Sequence, residues 1–298
     1  MHIAATTALL HDSAAVPRLA DPRDWGGQLG ILGDLGFRYV DLSDFWIPLG
    51  SLDREDLARL RSALVSAGLT PIGVSCVGVE LADPAAHSRS MDWAATTMSN
   101  AALLGVPHVS LGLHPHAAGP SLPGLRPGWV DLQAPPQFSD DQYRAVAAGL
   151  GQLADEAARL SLTLSLEMHD RTMLNNSASS IRLLDAVARP NVGINLDLGN
   201  LVRPPWPLEE TWFETLERLV TRMNYWHVKN GLRIELPGGR AASVFSSLDG
   251  GTIDYRTAIL CAQDAGYEGP LVVEHSGGDP LHFASRALTY LRALVRES

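Results

Sequence analysis

The amino-acid sequence predicts an α/β fold, a single (β/α)8 barrel over residues 1–298 with long loops after the fourth, sixth and seventh strands. Three observations carry that expectation. A helical stretch, a glycine and an apolar residue recur as one junction at Leu35-Gly36-Phe37, Ala67-Gly68-Leu69, Leu104-Gly105-Val106 and Ala265-Gly266-Tyr267. Glycine just past a helix end takes the left-handed conformation that other residues resist, and the next apolar side chain packs back on the last turn. Four apolar runs, at 162–166, 192–196, 223–226 and 271–273, end in Glu167, Asp197, His227 and Glu274. These four follow one another at about 30, 30 and 47 residues, and about 30 is the length of one βαβ unit.

The elements follow in order. A first strand at 2–7 precedes a helix at 24–35. The second strand (37–42) leads to a helix at 53–67 that Asp53 is placed to cap. The third strand (70–77) leads to a helix at 85–104, and the fourth is 107–113. The next helix, 140–160, opens with Ser139 and Gln142 at capping-box spacing; Val146, Leu150, Leu153, Ala157 and Leu160 step along one face. Strands at 162–167, 192–197, 223–229 and 270–275 alternate with helices at 178–188, 209–222, 255–265 (behind Asp254) and 280–296. An open doubly wound sheet would need a glycine-rich phosphate turn after the first strand, and the sequence has none there. The connections 114–138, 201–208 and 230–252 all fall on the carboxyl-end rim, where long loops serve binding.

Composition bounds the partners. The chain has 298 residues, 46% of them hydrophobic and 19% charged, enough apolar surface for a real core. Its formal net charge of −10 repels phosphate, so neither nucleic acid nor membrane is an expected partner. Cys76 and Cys261 form no CxxC and lie in apolar contexts; both are expected to be buried and reduced, which suits a cytoplasmic home. The segment beginning Met1-His2-Ile3 does not read as a signal peptide, and no run reaches the roughly 18 apolar residues that span a bilayer. A homo-oligomer or a partner subunit is left open.

If the four runs are parallel staves, Glu167, Asp197, His227 and Glu274 converge at the rim where barrel active sites form. Three carboxylates buried together would repel one another and resist ionisation, and a divalent cation removes that cost. Oxygen-rich ligation with one imidazole favours Mn²⁺, with Co²⁺, Mg²⁺ or Zn²⁺ as alternatives. About two coordination positions stay open, enough for a carbonyl beside a hydroxyl, whose shared C–H the metal acidifies. Glu167 and Glu274 are then the expected base and acid, passing through an enediolate. Three carboxylates against one dication leave about one surplus negative charge, so one carboxylate is expected to hold a proton. Around this core, His169 and Lys229 each follow a ligand by two residues and share its side. His114 and His116 end the fourth strand, and Trp46 lies beyond Asp41 and Asp44 at the second strand's rim. All five are candidate substrate contacts; the bland alternative for each is a core or loop side chain. His2, His11, His87 and His108 read as structural.

Longer motifs surround the four residues: Leu166-Glu167-Met168-His169, Asn195-Leu196-Asp197-Leu198-Gly199-Asn200, His227-Val228-Lys229-Asn230, and Gly251-Thr252-Ile253-Asp254-Tyr255 with Ala265-Gly266-Tyr267 leading to Glu274. Together they resemble the xylose isomerase-like TIM barrel superfamily of sugar phosphate isomerases and epimerases, which includes keto-sugar epimerases, hydroxypyruvate isomerases, and inosose isomerases and dehydratases. The resemblance covers most of the chain. It implies that Glu167, Asp197, His227 and Glu274 ligate the metal and that the two glutamates act as acid and base. Keto-sugar epimerases place a substrate-contacting His where this chain has Asn200, and an Arg where it has Arg233. Asn230 stands where the superfamily usually has Asp. The expected function is a metal-dependent isomerase or epimerase of a small sugar, keto-sugar or polyol, with a small carbohydrate as its partner. The alternative is a lyase or dehydratase acting on a keto-sugar or 3-keto-glycoside at the same site. A nuclease would need a basic groove and more metal ligands; a non-catalytic sugar-binding barrel would need no metal.

Overall fold

The computed structural model describes residues 1–11, 21–114 and 136–295. The strands are β1 (Ile3–Thr6), β2 (Tyr39–Ser43), β3 (Thr70–Cys76), β4 (His108–Leu111), β5 (Thr163–Glu167), β6 (Val192–Asn195), β7 (Met223–Tyr225), β8 (His227–Val228), β9 (Asn230–Leu236), β10 (Arg240–Ser246) and β11 (Leu271–Val273). The helices are α1 (Ala8–His11), α2 (Trp25–Asp34), α3 (Arg54–Ser66), α4 (His87–Leu104), α5 (Asp140–Arg159), α6 (Ser177–Val187), α7 (Leu198–Leu201), α8 (Trp212–Leu219), α9 (Tyr255–Asp264) and α10 (Pro280–Leu294).

Parallel pairing runs β7-β6-β5-β4-β3-β2-β1-β11-β8. The single residue Trp226 separates β7 from β8, so these two pieces are one bent stave, and chain continuity through it closes a ring of eight. This is the expected barrel. Its staves are buried on both faces because helices cover the outside and side chains fill the inside, and polar residues such as Asp41, Ser75, Ser110 and Asn195 are buried on them among the apolar ones. Leu164, Leu166, Ile194, Val228, Leu271 and Val273 are fully or almost fully buried.

Local chemistry explains the boundaries. Gly36, Gly68, Gly105 and Gly266 sit at φ of 96°, 67°, 79° and 83°, and the following apolar residues donate back into the preceding helices, as Phe37 N does to Leu32 O. Ser161 and Ala188 take the same conformation without being glycine, at φ of 59° and 50°, and so left no glycine signal behind α5 and α6. Asp53 and Asp254 cap α3 and α9, and Ser139 with Gln142 forms the capping box of α5. The helix expected at 209–222 begins later, at Trp212, because Thr211 and Glu214 form a capping box there; residues 220–222 tighten to a 3-10 turn.

Three other features were not anticipated. α1 and α7 are four residues each, too short to show a period. The connection expected as loop 230–252 holds the antiparallel hairpin β9–β10, which turns through Gly238 and Gly239 at φ of 79° and 70°. Cys261, expected to be buried, is half-buried on α9; Cys76 is buried, and both are free. No described helix is long and apolar enough to cross a membrane.

Candidate active site

The last four staves each deliver one metal-capable side chain to the same rim. Glu167 is the final residue of β5, and His227 opens β8. Glu274 follows β11 directly. Asp197 lies two residues past β6, where it caps α7 by accepting from Asn200 N at 3.1 Å. One ligand atom from each of the four falls within 4.8 Å of the other three. The barrel's other half faces them across a small cavity lined by Thr6, Ser43, Phe45, Ser75, Val77 and His114. The four side chains thus occupy one semicircle of the ring and face the cavity walled by the other.

The surrounding motif residues hold this geometry. Asn195 donates to Ser110 Oγ at 2.9 Å and accepts from His227 N at 2.8 Å, fixing the backbone of His227. Gly199 is required by close approach: a Cβ there would lie 2.3 Å from Lys229 Cγ and 2.6 Å from its carbonyl oxygen. Tyr255 Oη accepts from Lys229 N and donates to Lys229 O, at 3.1 and 2.8 Å. Asn230 donates to Leu248 O and Ile253 O while accepting from Gly231 N and Ile253 N. An aspartate could not make the first two bonds; Asn230 locks the hairpin base to the loop beyond it.

Electrostatics set the protonation. His227 Nδ1 lies 3.2 Å from Glu274 Oε2 and 3.6 Å from Glu167 Oε1 but meets neither with hydrogen-bond alignment, so this buried nitrogen lacks a hydrogen-bond partner among the described residues. Burial alone would push its imidazole pKa down; the two carboxylates outweigh burial and raise it well above the ordinary value. Burial would raise Glu167 and Glu274 too, yet the positive charges of His227 and Lys229 hold both low. For Asp197 burial wins and the pKa is raised, against the pull of Lys229. Lys229 Nζ lies 2.8 Å from Asp197 Oδ2 and 2.9 Å from Glu274 Oε1. Its ammonium supplies the unit of positive charge that three carboxylates and one dication lack, so no carboxylate need keep a proton for neutrality.

These donors fit a dication. They are three carboxylates and one imidazole, mutually close and buried except for half-buried Glu274, with a nitrogen that has no hydrogen-bond partner among the described residues. The family model described as xylose isomerase-like TIM barrel matches residues 30–294. The chain belongs to that family. A family member from Mycobacterium smegmatis, solved in complex with magnesium, superposes with a TM-score of 0.84 at 25% identity over 98% of this chain and 96% of that one. Among curated relatives, inosose dehydratase from Erwinia tasmaniensis is 28% identical over 176 residues, 54% of this chain and 58% of that protein. Ketose 3-epimerase from Arthrobacter globiformis is 28% identical over 131 residues, 43% of this chain and 39% of that one. The chain spans about half the length of the curated relatives it matches.

Within this xylose isomerase-like barrel, the other expected contacts divide. His169 and His114 line the cavity with ring centroids 4.8 Å apart. Burial pushes the His169 pKa down to about 4. Asn200 also lines the cavity, but its Nδ2 approaches Glu167 Oε1 (3.2 Å), Asp197 Oδ2 (2.8 Å) and Met168 O (3.0 Å), so it braces two of the four carboxylate and imidazole side chains. Lys229 likewise bridges two ligands. Two expectations need correction. Trp46 is 0% exposed within the core and cannot stack on a sugar; its neighbour Phe45 is on the cavity wall instead. Arg233 points away from the cavity: its guanidinium donates to the carbonyls of Val202, Pro204 and Trp206, pinning the 201–208 loop to the hairpin. His116 lies outside the described residues.

The guanidinium at the cavity is Arg203, which sequence reasoning missed. Its Nη2 donates to Asp170 Oδ1 and to His169 Nε2, both at 3.2 Å. The available signal was one arginine in a proline-rich rim loop, three residues past Asn200. A larger hollow of about 250 Å³ lies outside, between Tyr143, Trp206 and Trp212; none of the four ligands lines it.

Proposed function

We propose that this protein is a divalent-metal-dependent isomerase or epimerase of a small sugar, keto-sugar or polyol. The observation that carries the reading is the convergence of Glu167, Asp197, His227 and Glu274 within 4.8 Å at the barrel rim. All four would hold the ion, Mn²⁺ foremost among Mn²⁺, Co²⁺, Mg²⁺ and Zn²⁺. When bound, the ion acts as a Lewis acid on a substrate carbonyl and acidifies the adjacent C–H. Glu167 and Glu274 reach the centre from the fifth and eighth staves and so flank a chain laid across it. One removes the α-proton and the other, or the same one, returns it at a new carbon or face. His169, His114 and Arg203 would orient the substrate's remaining hydroxyls, and Phe45 would pack against its carbon face. Asn200 and Lys229 keep the carboxylates in place, while Trp46 and Arg233 act only through packing and loop position.

The net charge of −10 disfavours phosphate polymers, so the partner is a small carbohydrate rather than nucleic acid or a membrane. Free Cys76 and Cys261 suit a reducing, cytoplasmic setting within a single 298-residue domain. A dehydratase outcome, loss of a β-hydroxyl after the same proton abstraction, is the second reading. The inosose dehydratase relatives favour it, as does Asn200 in place of a substrate-binding His.

A screen of keto-sugars and inososes with Mn²⁺ in D₂O tests both. Isomerisation gives a product of unchanged composition carrying solvent deuterium; dehydration gives a product lighter by one water. Chelation should abolish deuterium exchange, and exchange retained in both Glu167→Gln and Glu274→Gln would sink the acid–base assignment.

A further inference from the structure

We propose that Asp41 and Ser75 form a positioning relay behind His227 that presents Nδ1, and not Nε2, to the dication. The inference rests on the metal reading above and extends it to residues on the opposite staves. Two observations orient the ring. Nδ1 faces the carboxylates of Glu167 and Glu274, and Nε2 lies 3.3 Å from Ser75 Oγ. Once Nδ1 gives its lone pair to a cation, the ring's one remaining hydrogen is on Nε2, so Ser75 must accept it. The Ser75 hydroxyl then has its own hydrogen to give, and Asp41 Oδ1 lies 2.7 Å away. The chain Nε2–H to Ser75 to Asp41 carboxylate therefore runs in one direction only.

The anchor of that chain is built in. Asp41 is fully buried, and its second oxygen accepts from Tyr225 Oη at 2.7 Å; Thr6 Oγ1 donates to the first at 3.3 Å. The β2–β3 register shifts between Val40 and Asp41, which sets Asp41 opposite Gly73. A Cβ at Gly73 would lie 2.0 Å from Tyr225 Oη and 2.8 Å from Asp41 Oδ2, so only glycine leaves room for the pair. A buried carboxylate held by three hydroxyls, one of them the link to a ligating imidazole, is costly unless it does something for the ligand. Fixing the ring's tautomer and rotation is what this geometry supplies.

The test uses full-length protein labelled with ¹⁵N-histidine. In the Zn²⁺-loaded wild type, His227 should carry its proton on Nε2 and show a ligated Nδ1. Ser75→Ala removes the relay but leaves Thr6 and Tyr225 on Asp41; it should weaken Mn²⁺ binding about 10- to 100-fold by titration calorimetry. The Co²⁺ absorption spectrum should change with it. Ser75→Thr, which keeps the hydroxyl, should restore most of the affinity. A wild-type His227 proton on Nδ1 overturns the inference without reference to any variant, as does unchanged Mn²⁺ affinity in folded Ser75→Ala. Failure of the wild type to bind any dication would overturn the metal reading itself, a separate result in the same titration.

Discussion

Lys229→Met isolates the charge balance of the centre. The ammonium is 4% exposed and touches Asp197 Oδ2 at 2.8 Å and Glu274 Oε1 at 2.9 Å. Methionine keeps the packed stem and removes the charge, leaving three buried carboxylates compensated by one imidazolium. Removing one partner of a buried ion pair costs about 3–5 kcal/mol. In a chain of this size that lowers the Tm by on the order of 10 °C. A bound dication replaces the missing charge, so the variant should bind Mn²⁺ more tightly than wild type, and Mn²⁺ should raise its stability by more. Urea denaturation with and without chelator reads both effects. Equal stability of the two metal-free proteins, or weaker Mn²⁺ binding by the variant, would refute the view that Lys229 serves as a resident counter-cation.

Other expectations follow from the same geometry. Trp46→Ala should cost about 3–5 kcal/mol in urea denaturation as a core cavity, whereas Phe45→Ala should chiefly raise the KM once a substrate is known; the reverse pattern would restore Trp46 to the site. Burial pushes the Asp44 carboxyl up to about 7 from its ordinary 3.8, against bonds from Val77 N and Trp93 Nε1. The folded state therefore holds a proton that the unfolded chain releases, so this group's contribution to stability falls as pH rises from about 4 to 7, by up to about 4 kcal/mol. The wild-type urea midpoint should show that decline relative to Asp44→Asn, and parallel pH profiles would contradict it. Arg203→Met should raise the KM with little change in Mn²⁺ affinity, because the side-chain bonds of Arg203 run to His169 and Asp170.

The barrel and the four converging residues were legible because each left a local mark. The helix ends at Gly36, Gly68, Gly105 and Gly266 need φ above zero, and glycine announces that. Glu167, Asp197, His227 and Glu274 close apolar runs at unit spacing. What was not legible depended on tertiary direction. Trp46 and Phe45 are adjacent, and nothing local says which ring turns inward. Arg233 held the right spacing from His227, but β9 pairs with β10, and that hairpin carries its guanidinium to the 201–208 carbonyls. Arg203 took the cavity position from a loop with no periodicity. Asp41 was noticed as a rim residue, yet its link to His227 runs through Ser75 on a neighbouring stave, a contact that appears only when the ring closes.

The central claim is that one dication sits among Glu167, Asp197, His227 and Glu274. An anomalous difference map from crystals grown with Mn²⁺ tests it most directly. The account predicts one strong peak within coordination distance of all four side chains, including His227 Nδ1. A peak elsewhere, or none at a saturating Mn²⁺ concentration, would contradict it.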